Sequence, residues 1–390
     1  PALSELGHEV GFWCETDAPA DREPIGLPEG APTWCAAELG TERALRELRG
    51  WGPDLVYLHI VRDAEVEARL AGVAPTVFFA HAYYGTCVSG LKTHQAPTPT
   101  PCGRPLGPGC LLHYYPHRCG GLSPLTMLRD YGRETRRLRV VKGYEAVLTN
   151  STHMSAEYVR NGVDPARVRT VPLPVVGGGG ADPAPAPSRA EPGWSLLFLG
   201  RMDRLKGGAA LLDALPVAAA ELGAPLRLTF AGEGPARAEW ERRAAELEAR
   251  HPGLRVEFTG WIPAAELEAV WARADLLVVP SLWPEPFGLV GPEAGLRGIP
   301  AAAFASGGIP DWLEEGVNGH LAPVDPPTPQ GLARAVARCL ADPAHHAALR
   351  RGAVARARRF TMQRHLAALD EVFRRVARGE GVPAAGSTPG

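Results

Sequence analysis

The chain has 390 residues, 45% apolar and 22% charged, a length and balance that fit two or three globular domains. A formal net charge of −2 gives no support for a nucleic-acid partner, and no apolar run approaches the roughly 18 residues that span a bilayer. There is no signal-peptide pattern at the start, and seven cysteines is an odd count in a chain too large to need a disulfide framework, so a cytoplasmic location is the expectation.

The opening segment, PALSELGHEV, reads as the end of a helix leading into a strand over His8–Cys14. Further strands are expected at Asp54–His59, Thr76–Ala80 and Ala146–Asn150, with helical patterns between them at Ala36–Arg49 and Leu125–Val141. Such alternation argues for a parallel α/β sheet. The stretch from Tyr83 to Gly121 interrupts it and is rich in Pro, Gly, Cys and His. A loop of that length in a compact domain is usually functional or mobile.

Within this stretch lie Cys87, Cys102, Cys110 and Cys119, with His94, His113 and His117 nearby. Four thiolates with interspersed histidines can hold a structural Zn²⁺. Spacings of fifteen, eight and nine residues, however, lack the compact Cys-x₂-Cys pair of common zinc sites. Two disulfides and buried thiols remain alternatives. Downstream, Arg133, Arg136, Arg137, Arg139 and Lys142 make a basic helix face, read as solvated rather than bound to anionic lipid. Asn150-Ser151-Thr152 is a glycosylation sequon that reads here as a strand end and helix cap.

Residues 177–193, GGGGADPAPAPSRAEPG, are the clearest domain boundary, flexible in the glycine run and extended in the Ala-Pro repeat. It separates a first domain over 1–176, carrying the Cys-rich insertion at about 83–121, from a second over 194–359. The second half repeats the alternation with strands at Ser195–Leu199, Leu226–Ala231, Leu254–Phe258, Asp275–Val279 and Ala301–Phe304. Helices are expected between them and at Pro329–Ala341 and His345–Arg359. An amphipathic helix within 360–378 is expected to cross back to the first domain, before a disordered tail over 379–390.

Chemistry concentrates at the strand ends of the second half. Leu199-Gly200-Arg201 ends one strand and Lys206-Gly207 opens the next helix. Arg offers a planar fork and Lys a compact charge for diphosphate oxygens. Helix starts usually attract acids, so two cations there point to an anion between them. FAGEGP, Phe230–Pro235, brings Gly232 to a strand-end turn that allows close backbone approach. FTGWIP, Phe258–Pro263, sets Trp261 and Ile262 where backbone groups can read a base edge, although plain packing is the commoner explanation of two such residues. Then comes PSLWPEPFGLVGPEAGLRGIP, Pro280–Pro300, in which Glu285 and Glu293 stand eight residues apart with Phe287-Gly288-Leu289 between them. Alone, these are acids in a first helical turn.

Together these motifs resemble the signature of the retaining glycosyltransferases of family 4, which have the GT-B fold. The resemblance covers most of residues 195–375. In the first domain it rests on organisation, on Tyr144–Asn161 and on His81 in VFFAHAYYG. It implies two Rossmann-like domains facing a central cleft, with the family's first strand and following Gly-rich loop lacking a counterpart here. It implies a sugar moved from a nucleoside-diphosphate donor, UDP-sugar as the prior, to a hydroxyl acceptor on a glycan, lipid or small molecule, without a catalytic metal. By resemblance, Arg201 and Lys206 stabilise the departing diphosphate, and Glu285 and His81 lie near the donor sugar. Glu293 accepts from ribose hydroxyls, Gly288 and Leu289 turn backbone N–H groups to phosphate, and Phe287, Gly232, Trp261 and Ile262 complete the donor site. In Ala305–Pro323, ASGGIPDWLEEGVNGHLAP, Asn318 and Gly319 mark a turn, and the stretch is expected to play a mainly structural role. A sugar-nucleotide epimerase and a non-catalytic sugar-nucleotide-binding module are the alternative functions.

Overall fold

A computed structural model describes residues 2–16, 27, 29–175 and 193–382; the expected linker, apart from Gly193, and residues 383–390 of the expected tail lie outside the described residues. Two compact units emerge. One takes Pro1–Leu91, Arg104–Pro172 and Gln363–Gly390, and the other Lys92–Gly103 and Leu173–Met362.

In the first unit, β1 (Phe12–Cys14) and β2 (Thr33–Cys35) pair in parallel as a small separate sheet. The strand expected from His8 starts four residues later, because His8 belongs to a turn: its N–H donates to Leu3 and its ring nitrogen lies 2.7 Å from Asp370. The main sheet runs from β3 (Val56–Leu58) to β4 (Thr76–Ala80). A short antiparallel ribbon, β5 (Thr93–His94) with β6 (Thr100–Pro101), comes next in the chain and groups with the second unit. The main sheet then resumes with β7 (Ala146–Thr149) and β8 (Val168–Thr170), in the order β3-β4-β7-β8, all parallel. Every residue of β4 and β7 is buried, as expected of central parallel strands covered on both faces.

The helix Pro124–Val141 starts where the Ser123 hydroxyl accepts from the Thr126 N–H. Of the basic face read from the sequence, Arg136, Arg139 and Lys142 are exposed as expected, Arg133 is half-buried, and Arg137 departs from it. Arg137 is buried. It donates to Glu67 at 2.7 Å, to Glu134 at 3.2 Å and to the carbonyl of Val61 at 2.6 Å. The Tyr144 hydroxyl donates to Glu67 at 2.9 Å, and the other Glu134 oxygen accepts the Gly85 N–H at 2.8 Å. Acceptors on every side replace the water that Arg137 gives up. Arg136 pairs with Glu65, and Arg133 with Asp130 and Glu134.

The second unit holds six parallel strands: β9 (Trp194–Leu199), β10 (Leu226–Ala231), β11 (Leu254–Gly260), β12 (Leu276–Val279), β13 (Ala301–Phe304) and β14 (Gly319–Ala322). They lie in the order β11-β10-β9-β12-β13-β14. This is the doubly wound arrangement, whose direction of growth reverses between β9 and β12. Trp194, Leu196 and Phe198 of β9 face one core with Leu228, Phe230 and Trp240; Leu197 faces the other with Val279, Phe287 and Trp312. The last strand was not anticipated. Gly319, read as a turn residue, sits at φ 155°, and a Cβ there would lie 1.9 Å from the Ala301 carbonyl oxygen, so this glycine serves close strand pairing.

Burial raises the pKa of Glu67 more than Arg137 lowers it, the mark of a charge cluster held by mutual compensation. Arg137→Met is therefore expected to cost about 3–5 kcal/mol, read from the urea unfolding midpoint, by leaving carboxylates buried without their cation. Adding Glu67→Gln to that variant is expected to recover part of the loss.

Candidate functional site

Open α/β sheets bind ligands beyond the carboxyl ends of their strands, at the point where strand order reverses. In the second unit that point is framed by the turns after β9 and β12. After β9 the chain passes through Gly200 and Arg201 to Asp203, whose carboxylate accepts the Leu205 N–H at 3.0 Å and opens a single 3₁₀ turn, Arg204–Lys206. Gly207 follows in the left-handed region at φ 75°. A Cβ there would lie 1.8 Å from the carbonyl oxygen of Pro280, just past β12, so only glycine permits this contact. The Leu282 N–H donates to the Leu205 carbonyl at 2.8 Å and ties the same two turns together.

The outcome is an ion pair. Lys206 Nζ lies 2.6 Å from Glu285 Oε1, which also accepts from the Ser281 hydroxyl. The ammonium stands 5.2 Å from the centre of the Trp283 ring. Glu285 is buried, and its Oε2 accepts no hydrogen bond among the described residues. Its backbone is fixed from below, where the Gly308 N–H donates to its carbonyl at 2.7 Å. A Cβ on Gly307, at φ 61°, would come within 2.3 Å of that same oxygen. The Gly307-Gly308 pair thus supports Glu285 directly.

Three strand-end turns are laced together beside this pair. The Gly200 N–H donates to Ala231 at 3.0 Å, the Gly232 N–H to Gly260 at 2.8 Å and the Met202 N–H to Glu233 at 2.8 Å. Gly232 is at φ 134°, and a Cβ on it would meet the Gly200 carbonyl oxygen at 2.1 Å. Between the turns lies a cavity of about 320 Å³, lined by Gly200, Arg201, Gly232, Glu233, Trp261, Ile262 and their neighbours. Arg201 is exposed and forms no ion pair among the described residues. Trp261 is 73% exposed, so the plain-packing explanation fails for it, whereas Ile262 packs partly against the core. A larger groove of about 430 Å³ follows the amino-terminal halves of β9, β10 and β11, away from the ligand-binding ends.

Past β12 the expected donor residues separate into two kinds. Phe287 is a core side chain, stacked edge-on against Phe360 at 5.3 Å, and its carbonyl accepts from the Trp312 indole at 2.7 Å. Its side chain therefore packs in the core beside the expected donor site. Gly288, at φ 89°, and Leu289 lead into the helix Val290–Leu296, and their N–H groups lie outside its hydrogen-bond ladder, as at any helix start. Glu293 is half-buried, and its carboxylate accepts no hydrogen bond among the described residues. Burial pushes its pKa above the ordinary glutamate range, against the pull of Arg297. That arginine is committed elsewhere, to Glu268 and to the Glu293 carbonyl at 2.8 Å.

His81 follows β4 in the first unit. Its Nε2 lies 2.8 Å from Nδ1 of His59, a partner that sequence reasoning missed although both histidines directly follow neighbouring parallel strands. Cys102 belongs to the second unit while Cys87, Cys110 and Cys119 belong to the first. Among the described residues the seven cysteines form no disulfide, and no group of three or more His, Cys, Asp or Glu is arranged to hold a metal ion. The thiols make local contacts instead, Cys110 with the Pro105 carbonyl at 3.8 Å and Cys119 with that of His113 at 3.8 Å. No helix among the described residues is long and apolar enough to cross a membrane.

Comparison with known proteins converges on one family. Residues 194–342 match the profile described as Glycosyl transferases group 1, and residues 1–176 that described as Glycosyltransferase Family 4. The chain is 30% identical over 330 residues to 2-deoxystreptamine glucosyltransferase of Streptomyces kanamyceticus, covering 82% of this chain and 75% of that protein. It is 34% identical over 147 residues to the uncharacterized glycosyltransferase MJ1607 of Methanocaldococcus jannaschii, a match that spans 38% of this chain and about a third (36%) of that relative's length. Among solved structures, Anabaena Alr3699/HepE in complex with UDP superposes with a TM-score of 0.60 at 20% identity, over 88% of this chain and 86% of that one. The two parallel α/β units are thus those of the GT-B fold, and the chain belongs to glycosyltransferase family 4.

Proposed function

We propose that the chain transfers a sugar from a nucleoside-diphosphate donor to a hydroxyl acceptor with retention of anomeric configuration. The observation that carries this reading is the contrast at the switch point: Lys206 is held rigidly on a buried carboxylate, while Arg201 stands without an ion pair at the mouth of the neighbouring cavity. Two cations, one oriented and one available, suit a diphosphate whose charge grows as it leaves. They supply charge stabilisation that other transferases take from a metal ion, so the reaction as written uses none.

In this reading the acceptor hydroxyl attacks the anomeric carbon on the face from which the phosphate departs. The bond from carbon to phosphate oxygen breaks, the bond to the acceptor oxygen forms, and the phosphate oxygen takes the acceptor's proton. No protein nucleophile is involved. Glu285 orients Lys206 through Oε1 and offers Oε2 to a sugar hydroxyl. His81 acts near the same sugar. Glu293 receives the ribose hydroxyls, which an ionised carboxylate can only accept. Gly288 and Leu289 direct N–H groups to phosphate, and the turn at Trp261-Ile262 faces the base. UDP is the first nucleotide to test, since the neighbour Alr3699/HepE was crystallised with it.

Steady-state kinetics with UDP-sugars tests the assignment. Arg201→Ala and Lys206→Ala are each expected to lower kcat on the order of 10²-fold or more, whereas Glu293→Ala chiefly raises donor KM. Unchanged kinetics in all three variants would sink the proposal. The raised pKa of Glu293 adds a pH signature. Its native state binds a proton more tightly than the unfolded chain, so the burial cost is present above the native pKa and relieved as pH falls through it. Donor affinity runs the other way, because the protonated acid is a poorer acceptor. Donor KM is expected to rise on acidification at a pH above the ordinary glutamate range, and Glu293→Gln is expected to flatten that rise.

A further inference from the structure

We infer that His59 is a positioning residue for His81, holding that imidazole in one plane and one tautomer. The inference rests on the reading that His81 acts at the donor sugar, and deepens it. β3 and β4 are adjacent parallel strands, and each is followed immediately by a histidine, His59 after Leu58 and His81 after Ala80. His59 Nδ1 and His81 Nε2 are 2.8 Å apart, the ring planes differ by 24° and the centroids are 5.0 Å apart. That centroid separation is about the N···N distance plus the two ring radii. The rings therefore meet edge to edge through an in-plane hydrogen bond and do not stack face to face.

A neutral imidazole carries one N–H and one lone pair. If His59 donates from Nδ1, His81 must hold its own proton on Nδ1; if His81 donates from Nε2, its Nδ1 is an acceptor. Either way the tautomer of one ring fixes that of the other. Partial desolvation by the surrounding protein lowers the pKa of both rings, that of His59 to about 4 although it keeps exposed surface, and so favours the neutral form of each. The other titratable groups facing the pair are His365, whose Nδ1–H donates to the Pro172 carbonyl at 2.9 Å, and Tyr57, whose ring lies 4.6 Å from that of His59. No carboxylate bonds either imidazole among the described residues.

The support beneath the pair is rigid. Arg137 donates to the carbonyls of Val61 and Arg62, on the chain leaving His59. Its partner Glu134 accepts the Gly85 N–H, on the chain leaving His81. One buried ion cluster thus anchors both loops, and Phe79 packs against both rings at 4.9 and 6.3 Å. A hydrogen bond built on such a frame can set a tautomer without a mobile partner drifting away.

The experiment uses the full chain with ¹⁵N-labelled histidine. Imidazole nitrogen shifts are followed across pH in the unsubstituted protein, His59→Phe and His59→Asn, with kinetics measured in parallel and His81→Ala as reference. The expected result is a single His81 tautomer in the unsubstituted protein and a mixture in His59→Phe. With it comes a kcat loss on the order of 10- to 100-fold and little change in donor KM. His59→Asn, whose amide occupies the position of Nδ1, is expected to restore both the tautomer and most of the rate. An unchanged His81 tautomer in His59→Phe, or identical behaviour of the Phe and Asn variants, overturns the inference. Full activity of His81→Ala overturns instead the role of His81 in transfer, while the nitrogen shifts still decide the pairing.

Discussion

The approach of Gly207 to the Pro280 carbonyl is the constraint from which the switch point of the second unit follows. It lets the turn after β9 settle directly on the turn after β12, at the one place where the sheet changes direction. Any side chain at Gly207 would drive the turns apart and with them Lys206 and Glu285. The ion pair is not there chiefly to stabilise the fold. Desolvating a carboxylate consumes much of what its cation returns. What the contact secures is geometry: an ammonium aimed by Glu285, Ser281 and Trp283 together rather than left on a flexible stem.

Charges in the second unit thus fall into two groups. Lys206 and Glu285 are engaged with each other, while Arg201 and the Glu293 carboxylate have no protein partner among the described residues. The engaged pair defines a fixed reference and the unengaged groups are available to a ligand, one as a donor and the other as an acceptor. Under the proposed function that ligand is a nucleoside diphosphate joined to a sugar, which carries both phosphate oxygens for a cation and hydroxyls for a carboxylate. Preorganisation of this kind lowers the reorganisation needed as charge develops on the leaving group.

The first unit uses the same device with different chemistry. Arg137, Glu67, Glu134 and Tyr144 form a buried polar knot whose free valences reach the loops after β3 and β4. In both units a buried charge cluster fixes the loops at strand ends, and the groups suited to chemistry project from those loops. Rigid strands whose following turns are tied down give the precision that untethered loops lack.

The local pattern of residues determined a good deal. Period and punctuation located most strands, and glycines marked the turns after β9, β10 and β12, with cations beside them after β9, because backbone curvature and charge are written residue by residue. Glu285 and Glu293 were legible as a pair by their spacing, but not their different fates, since burial depends on what the fold packs against each. The core burial of Phe287 was not legible, Arg137 looked solvated and proved buried, and Gly319 looked like a turn and proved to lie in a strand. The four cysteines between Cys87 and Cys119 looked like one site, and among the described residues they form no disulfide. His59 and His81, 22 residues apart, became partners only when parallel pairing set two strand ends side by side. Composition and spacing act along the chain, so they fixed elements and candidate chemistry. Which side chains meet is set by strand order, close glycine contacts and burial, and these exist only once the chain has packed.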